Sequence, residues 1–279
     1  MQDTTFNEIA DLALRHTGQA LKASKSYLME ARLSAINRRE SFATLDDLAH
    51  CLKARPNPRF EAEIAAALTG KLTRFFGDRE IIDRIVTHAL PERLKNSTTG
   101  RLRVWCAGVS TGQEAYSLAM ALADAKDSPL RGAEIEIIGT DISTDCLETA
   151  THGSYGHFDV QKGLSIERLL ANFSRQETGN WQINEDLRNA VGFRRHNLIE
   201  DASSLGHFDI IICRNVLSDM TKGMRAKAAK HMSDQLLPGG LMFSATTEDL
   251  NGVVEGLNPS RAVRGAFTRN RNDGAVAAA

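Results

Sequence analysis

Apolar residues over positions 5–90 recur at helical spacing: Phe6, Ile9, Leu12 and Ala13 mark one face, and Tyr27, Leu28, Ala31, Leu33 and Ile36 another. Strand-like alternation is missing from this stretch. Gly18 and Arg55-Pro56-Asn57-Pro58 break the run, and Thr44 followed by Asp46 and Asp47 has the form of a capped helix start. Several short helices are expected, forming an N-terminal helical domain over residues 1–90.

Polar residues 96–100 end this region, and from Leu102 short apolar runs alternate with helical patterns. That order implies βαβ units and a parallel sheet, hence an α/β domain over 91–270 of the doubly wound, Rossmann-like kind. The spacing predicts strands at 102–107, 134–139, 208–213 and 241–244, and helices at 114–123, 144–150 and 221–236. Residues 155–193 interrupt the alternation with a helical pattern at 166–173 and a hairpin around Asn180, Trp181 and Ile183. This insertion reads as a lid or docking element. Residues 271–279, ending in Val276–Ala279 after Asn272-Asp273-Gly274, carry no core-forming pattern and read as a flexible tail.

Composition narrows the function. A chain of 279 residues, 42% hydrophobic, is long enough to bury a sizeable core. Its formal net charge of -1 argues against a partner bound through a general Lys/Arg excess, so no nucleic acid is expected. Cys51, Cys106, Cys146 and Cys213 form no Cys-x-x-Cys pair, which fits core thiols in a reducing compartment. The first ten residues lack an apolar signal core, and no stretch of about 18 apolar residues occurs, so a cytoplasmic protein without membrane insertion is expected.

The first strand runs into Ala107-Gly108-Val109-Ser110-Thr111-Gly112-Gln113-Glu114, and a helix starts at once. Gly108 and Gly112 let backbone pass close to a ligand at the carboxyl end of the sheet, although an ordinary strand-to-helix turn has the same form. The next strand ends in Asp141, where a carboxylate accepts hydrogen bonds from a ribose diol and disfavours a 2′-phosphate. Asp141 also has the look of a helix cap, a role open to Ser143 instead. The glycine spacing is not Gly-x-Gly-x-x-Gly, and no Gly-Lys-Ser/Thr loop is present, so a nucleoside without phosphates fits better than NAD or a nucleoside triphosphate.

Taken together, several stretches resemble the CheR-type chemotaxis receptor methyltransferases. They are Val104 to Ser117, Leu72-Thr-Arg-Phe-Phe76, Gly139-Thr-Asp-Ile-Ser143, Asn197-Leu198, Phe208 to Val216 and Thr247-Glu248, in the family's order over roughly Phe6 to Leu250. The resemblance implies S-adenosylmethionine as cofactor, S-adenosylhomocysteine as product, and methyl transfer to glutamates on the cytoplasmic helices of chemoreceptors. It further implies that Asp141 binds ribose, Glu114 the methionyl ammonium or nearby polar atoms, and Asn197 with Leu198 the adenine region. Thr73, Gly108, Gly112, Arg214 and Asn215 line the rest, with Arg214, Asn215 and Asp219 on the catalytic side. For Thr73 a helix cap serves nearly as well. Phe75 and Phe76 read as core for at least one of the two. Lys25, Arg32 and Arg39, spaced by sevens, with Arg38 beside them, offer a basic helical face to an acidic receptor helix, or else a solvated charged face.

The chain departs from the family pattern on the acceptor side. Gly77 stands where an arginine is usual, Asp219-Met220 where Tyr-Phe is usual, Lys71 where an asparagine is usual, and Gln113-Glu-Ala115 where Glu-Glu-Pro is typical. A carboxylate at Asp219 would repel an incoming glutamate by roughly a few kcal/mol at reduced dielectric unless paired. Three readings follow: an active glutamate O-methyltransferase, a cofactor-binding but inactive regulatory relative, and a methyltransferase with another acceptor.

Overall fold

Four helices form where the sequence carries both an apolar stripe and a terminator: α1 Asp3–Thr17, α2 Ser26–Arg39, α3 Leu45–Ala54 and α4 Pro58–Leu68. Gly18 ends α1 in the left-handed conformation, φ 73°. Thr44 and Asp47 make a reciprocal capping box at α3, and Asn57 accepts from the amides of Arg59 and Phe60 ahead of Pro58. The stripe of α2 that enters the core is Met29, Leu33 and Ile36, while Tyr27 is 64% exposed. The apolar face expected to begin at Tyr27 and Leu28 is thus rotated, because spacing by four and three selects the buried row. These side chains pack with Phe6, Ile9, Leu12, Leu48 and Ile64.

The computed structural model describes residues 2–125 and 128–269; the tail at 271–279 lies outside the described residues. Two compact units emerge, Met1–Gly70 with Val216–Lys227, and Lys71–Asn215 with Ala228–Ala279. The division falls at Gly70 and not at residue 90. The helix α5 Arg79–Arg84, its π turn Ile85–Ala89 and α6 Leu90–Lys95 bury Ile82, Ile85, Val86 and Leu90 in the α/β core. The change of texture near residue 100 marks where strands begin, whereas the packing partner of a helix decides its unit. The strip Val216–Lys227 joins the helical unit as a short antiparallel partner of residues 18–20, with Ala20 donating to the Asp219 carbonyl and Thr221 to that of Gly18.

The second unit continues as β1 Arg101–Ala107, α7 Gln113–Asp124, β2 Glu134–Asp141 and α8 Thr144–His152, then β3 Ser154–Tyr155, α9 His157–Gln161, α10 Ile166–Asn172, β4 Phe173–Arg175, β5 Trp181–Ile183 and α11 Glu185–Asn189. After these come β6 Val191–Arg195, β7 Phe208–Cys213, α12 Lys222–Asp234, of which only the part from Ala228 belongs to this unit, β8 Leu236–Phe243, β9 Leu257–Pro259 and β10 Ala266–Arg269. The main sheet has the order β6-β2-β1-β7-β8-β10-β9, parallel from β6 to β8 and antiparallel through β10 and β9. Both faces are apolar, as a parallel sheet requires. Val104, Cys106, Ile210, Ile212 and Phe243 join the cluster with α5 and α7, while the alternate residues Trp105, Ile211 and Met242 are equally buried.

The order reverses at β1, whose sequence successor β2 lies on one side and β7 on the other, so the end of β1 opens at a topological switch point. Arg93 of α6 pairs with the buried Asp209 of β7 at 2.8 Å, and Asp209 also accepts the Arg103 amide at 2.9 Å, which ties helix and strands together. The four residues Leu237-Pro238-Gly239-Gly240 form a bulge within β8. Among the described residues no helix is long and apolar enough to cross a membrane.

The insertion contains the expected helix, as α10, and the expected hairpin, β4 with β5, with β3 completing a three-stranded sheet. It closes sooner than the sequence implied. Val191–Phe193 is part of β6, an edge strand of the main sheet in register with Ile137–Gly139 of β2. A five-residue edge strand ending in Arg194-Arg195 carries too little alternation to announce itself.

Candidate functional site

The loop after β1 is built from backbone hydrogen bonds to β2. The amides of Gly108 and Val109 both reach the Thr140 carbonyl at 2.8 Å, and that of Ser110 reaches Oδ2 of Asp141 at 2.8 Å. Gly108, Ser110 and Gly112 all have positive φ, at 72°, 53° and 92°. Gly112 is required by packing as well as by its backbone, since a Cβ there would lie 2.9 Å from that of Ala150 and 3.2 Å from the Phe193 ring. Gly112→Ala is therefore expected to destabilise the fold by about 2–4 kcal/mol, read from urea denaturation midpoints.

Asp141 does not cap α8. Ser143 holds that position and accepts the Cys146 amide, while Oδ1 of Asp141 accepts the Ser143 amide at 2.9 Å. The carboxylate thus touches the glycine loop with one oxygen and the start of α8 with the other, each retaining acceptor capacity. Burial pushes its pKa above the ordinary aspartate value, against the pull of these amides and of Lys71. The Asp141 carbonyl accepts the His196 amide at 3.0 Å, which brings the buried Asn197 and Leu198 to the same strand end. The Asn197 carboxamide oxygen accepts from Ile199. His196 Nε2 is buried without a hydrogen-bond partner among the described residues.

On the other side of the loop, Arg214 at the end of β7 lies between two carboxylates. Its guanidinium donates to Glu114 at 2.9 Å and to Asp78 at 3.1 Å, and Nε is buried without a hydrogen-bond partner among the described residues. Glu114, in the first turn of α7, has its pKa raised by burial, an effect that Arg214 opposes. Asn215 is left-handed at φ 58°, and its amide donates to the fully buried Glu248 at 2.8 Å.

The segment from Lys71 to Asp78 is fastened to the same loop and helix. Ser110 Oγ donates to the Lys71 carbonyl at 3.2 Å, and the Phe76 amide donates to Ser117 Oγ at 2.9 Å. Thr73, half-exposed between these anchors, caps no helix. Phe75 and Phe76 are both core, and Phe76 is left-handed at φ 47°. Of the four described non-glycine residues with positive φ, only Ser41 lies away from these loops; Phe76, Ser110 and Asn215 all belong to them. Such strain persists where the surroundings over-determine it, commonly at functional sites.

Sequence reasoning missed the role of Asp78, which follows Gly77 without a motif of its own. It noted Glu248 only as half of Thr247-Glu248, without seeing that it holds Asn215. Gly77 leaves room for Arg74, whose Cγ lies 3.0 Å from where a Cβ would stand and whose guanidinium donates to the Gly77 carbonyl.

Asp219 belongs to the helical unit, where it lines a cavity of about 250 Å³ with Gln19, Lys22, Lys25 and Arg32. Lys25 ends a 3-10 turn ahead of α2, so it lies off the helix expected to carry it. Arg32 donates to the Leu68 carbonyl, Arg39 is paired with Glu40 and Glu63, and Arg38 is exposed. The four cysteines are all free. Burial raises the thiol pKa values of Cys106 and Cys213 well above the ordinary range, which leaves them protonated and poor nucleophiles.

Residues 71–264 match the family model described as CheR methyltransferase, SAM binding domain, and residues 4–69 the one described as CheR methyltransferase, all-alpha domain. The chain is 32% identical over 240 residues to the chemotaxis protein methyltransferase Cher2 of Pseudomonas putida, covering 85% of this chain and 87% of that one. Chemotaxis protein methyltransferase 1 of Pseudomonas aeruginosa matches at the same identity and coverage. A chemotaxis protein methyltransferase of Vibrio parahaemolyticus is 30% identical over 256 residues, 91% of this chain and 92% of its own.

Proposed function

The chain belongs to the CheR methyltransferase family, and from that premise we propose that it methylates glutamate side chains on the cytoplasmic helices of chemoreceptors. Its methyl donor is S-adenosylmethionine and its setting is chemotaxis. The observation that carries the donor-site reading is the Glu114–Arg214 pair beside the Asp141-anchored glycine loop. The methionyl end of the donor is a zwitterion. A carboxylate next to a guanidinium matches it, Glu114 toward the ammonium and Arg214, through its unpartnered buried Nε, toward the carboxylate. Asp141 keeps acceptor capacity for the ribose diol, and Asn197 with Leu198 lies at the same strand end for the adenine. Thr73, Gly108, Gly112 and Asn215 border these groups.

When bound, S-adenosylmethionine supplies a sulfonium methyl, so transfer to a carboxylate oxygen forms an O–CH3 bond, breaks the S–CH3 bond and leaves a neutral thioether with no proton moved. A glutamate, with a reference pKa of about 4.3, is ionised at neutral pH and needs no general base. The residues gathered here suit that demand. They offer charge and hydrogen bonds, and the two thiols beside the strand ends are held protonated by burial. The protein's contribution to rate is alignment and exclusion of water around the attacking anion. For the receptor, the helical unit offers Lys25, Arg32, Arg38 and Arg39. Arg38 is the most available, since Arg39 is already paired and Arg32 is turned inward.

Labelling receptor-containing membranes with methyl-labelled donor tests the reading. Base-labile methyl ester that releases methanol is the expected result. Base-stable label would redirect the assignment to another acceptor, and cofactor binding without label would make the protein a regulatory relative.

A further inference from the structure

The insertion between α8 and β6 leaves the main sheet and returns to it, and on the way it is fastened to both loops that carry donor-site residues. Tyr155 of β3, 2% exposed, donates its hydroxyl to the Thr111 carbonyl at 2.8 Å, and Thr111 stands between the left-handed Ser110 and Gly112. The Tyr155 ring meets Phe75 edge-on at 5.1 Å. Gly163 approaches so closely that a Cβ there would overlap the Phe75 carbonyl oxygen. Arg168 of α10, paired with Asp124 at 2.9 Å, lays its guanidinium over the ring of the strained Phe76 at 4.1 Å.

Each contact alone is an ordinary packing device. What they share is their target, because Thr111 belongs to the glycine loop while Phe75 and Phe76 belong to the segment that carries Thr73. Strained backbone needs surroundings that over-determine it, and at Ser110 and Phe76 part of those surroundings comes from the insertion.

We infer that the insertion is a positioning element of the methyl-donor site, in which Tyr155, acting through the Thr111 carbonyl, holds the glycine loop in its donor-binding conformation, while Gly163 and Arg168 hold the Phe75-Phe76 segment. This rests on the reading of the glycine loop as the donor site. Tyr155 acts through Thr111 and not on the donor. Without its hydroxyl, a half-buried carbonyl loses its partner and the loop spends less time in the binding conformation. The apparent dissociation constant then rises by the inverse of the competent fraction, while the chemical step in the assembled complex is unaltered.

Calorimetric titration of the full chain with S-adenosylhomocysteine provides the test. Tyr155→Phe keeps the ring and removes only the hydroxyl, and is expected to weaken binding about three- to tenfold, the scale of one lost hydrogen bond. Gly163→Ala is expected to weaken it at least as much, whereas Leu170→Ser, 67% exposed on α10, leaves it unchanged. In turnover assays the KM for S-adenosylmethionine should rise in Tyr155→Phe with kcat retained. A purely structural role would lower the melting temperature and leave affinity alone. Tyr155→Phe with affinity within twofold of the parent therefore overturns the inference and spares the donor-site reading. A parent protein that fails to bind S-adenosylhomocysteine overturns both.

Discussion

Asp141→Ala is expected to weaken S-adenosylhomocysteine binding at least about a hundredfold, measured by calorimetry. Two hydrogen bonds from a sugar diol to a carboxylate contribute about 1.5–3 kcal/mol each, and both disappear. The same substitution releases the Ser110 and Ser143 amides, so the glycine loop also loses its tie to β2 and α8. Asp141→Asn separates the two effects. It keeps an acceptor on one side but points an amide donor at a backbone N–H on the other, so it is expected to bind more weakly than the parent and more tightly than Asp141→Ala. The pH dependence has a definite sign. Burial raises the Asp141 pKa, and protonation removes acceptor capacity, so affinity should begin to fall, as pH is lowered, above the ordinary aspartate value of about 3.9.

Arg214→Ala should cost substantial stability as well as donor affinity. The Arg214 side chain is 9% exposed, and its removal leaves the Glu114 and Asp78 carboxylates without their shared cation. Breaking a buried pair from one side costs about 3–5 kcal/mol, and the 28% exposure of Asp78 argues for the lower end. A loss of about 3 kcal/mol corresponds to a fall of roughly 6–12 °C in melting temperature for a domain of this size.

The penalty should shrink in acid. Burial alone already raises the Glu114 pKa, and without Arg214 nothing nearby offsets it. In the interval between its unfolded and folded pKa values, the folded state then holds the extra proton, so stability falls as pH rises through that interval. Melting curves of parent and variant should therefore converge toward pH 5 and diverge toward neutrality. Equal separation at both pH values would place the cost in lost packing and not in the stranded carboxylates. Arg214→Lys is not expected to rescue, because an ammonium cannot span two carboxylates in the guanidinium's fixed fork.

How far the site was legible depended on whether a residue's role is local. Gly108, Gly112, Glu114 and Asp141 sit at the junctions of βαβ units, and those junctions announce themselves by the change from strand to helix periodicity. Asp78 and Glu248 were hidden because each acts on a residue more than thirty positions away, Asp78 on Arg214 and Glu248 on Asn215. Tyr155 was hidden similarly, as an aromatic residue at the edge of an insertion until its hydroxyl was found on Thr111. The ion pairs of Arg39 with Glu40 and Glu63, and the inward turn of Arg32, likewise could not be read from charge spacing along α2.

By itself the sequence determined the helical texture before residue 90, the parallel α/β order from Leu102 onward, and the caps and glycines that end individual elements, because these depend on neighbours within a few residues. Tertiary structure alone decided that α5 and α6 belong to the sheet, that Val216–Lys227 returns to the helical unit, and that Val191–Phe193 is an edge strand. It also decided which carboxylates share Arg214. Those outcomes depend on which distant surface buries a given face, and a one-dimensional pattern records that a face is apolar or charged without recording what meets it.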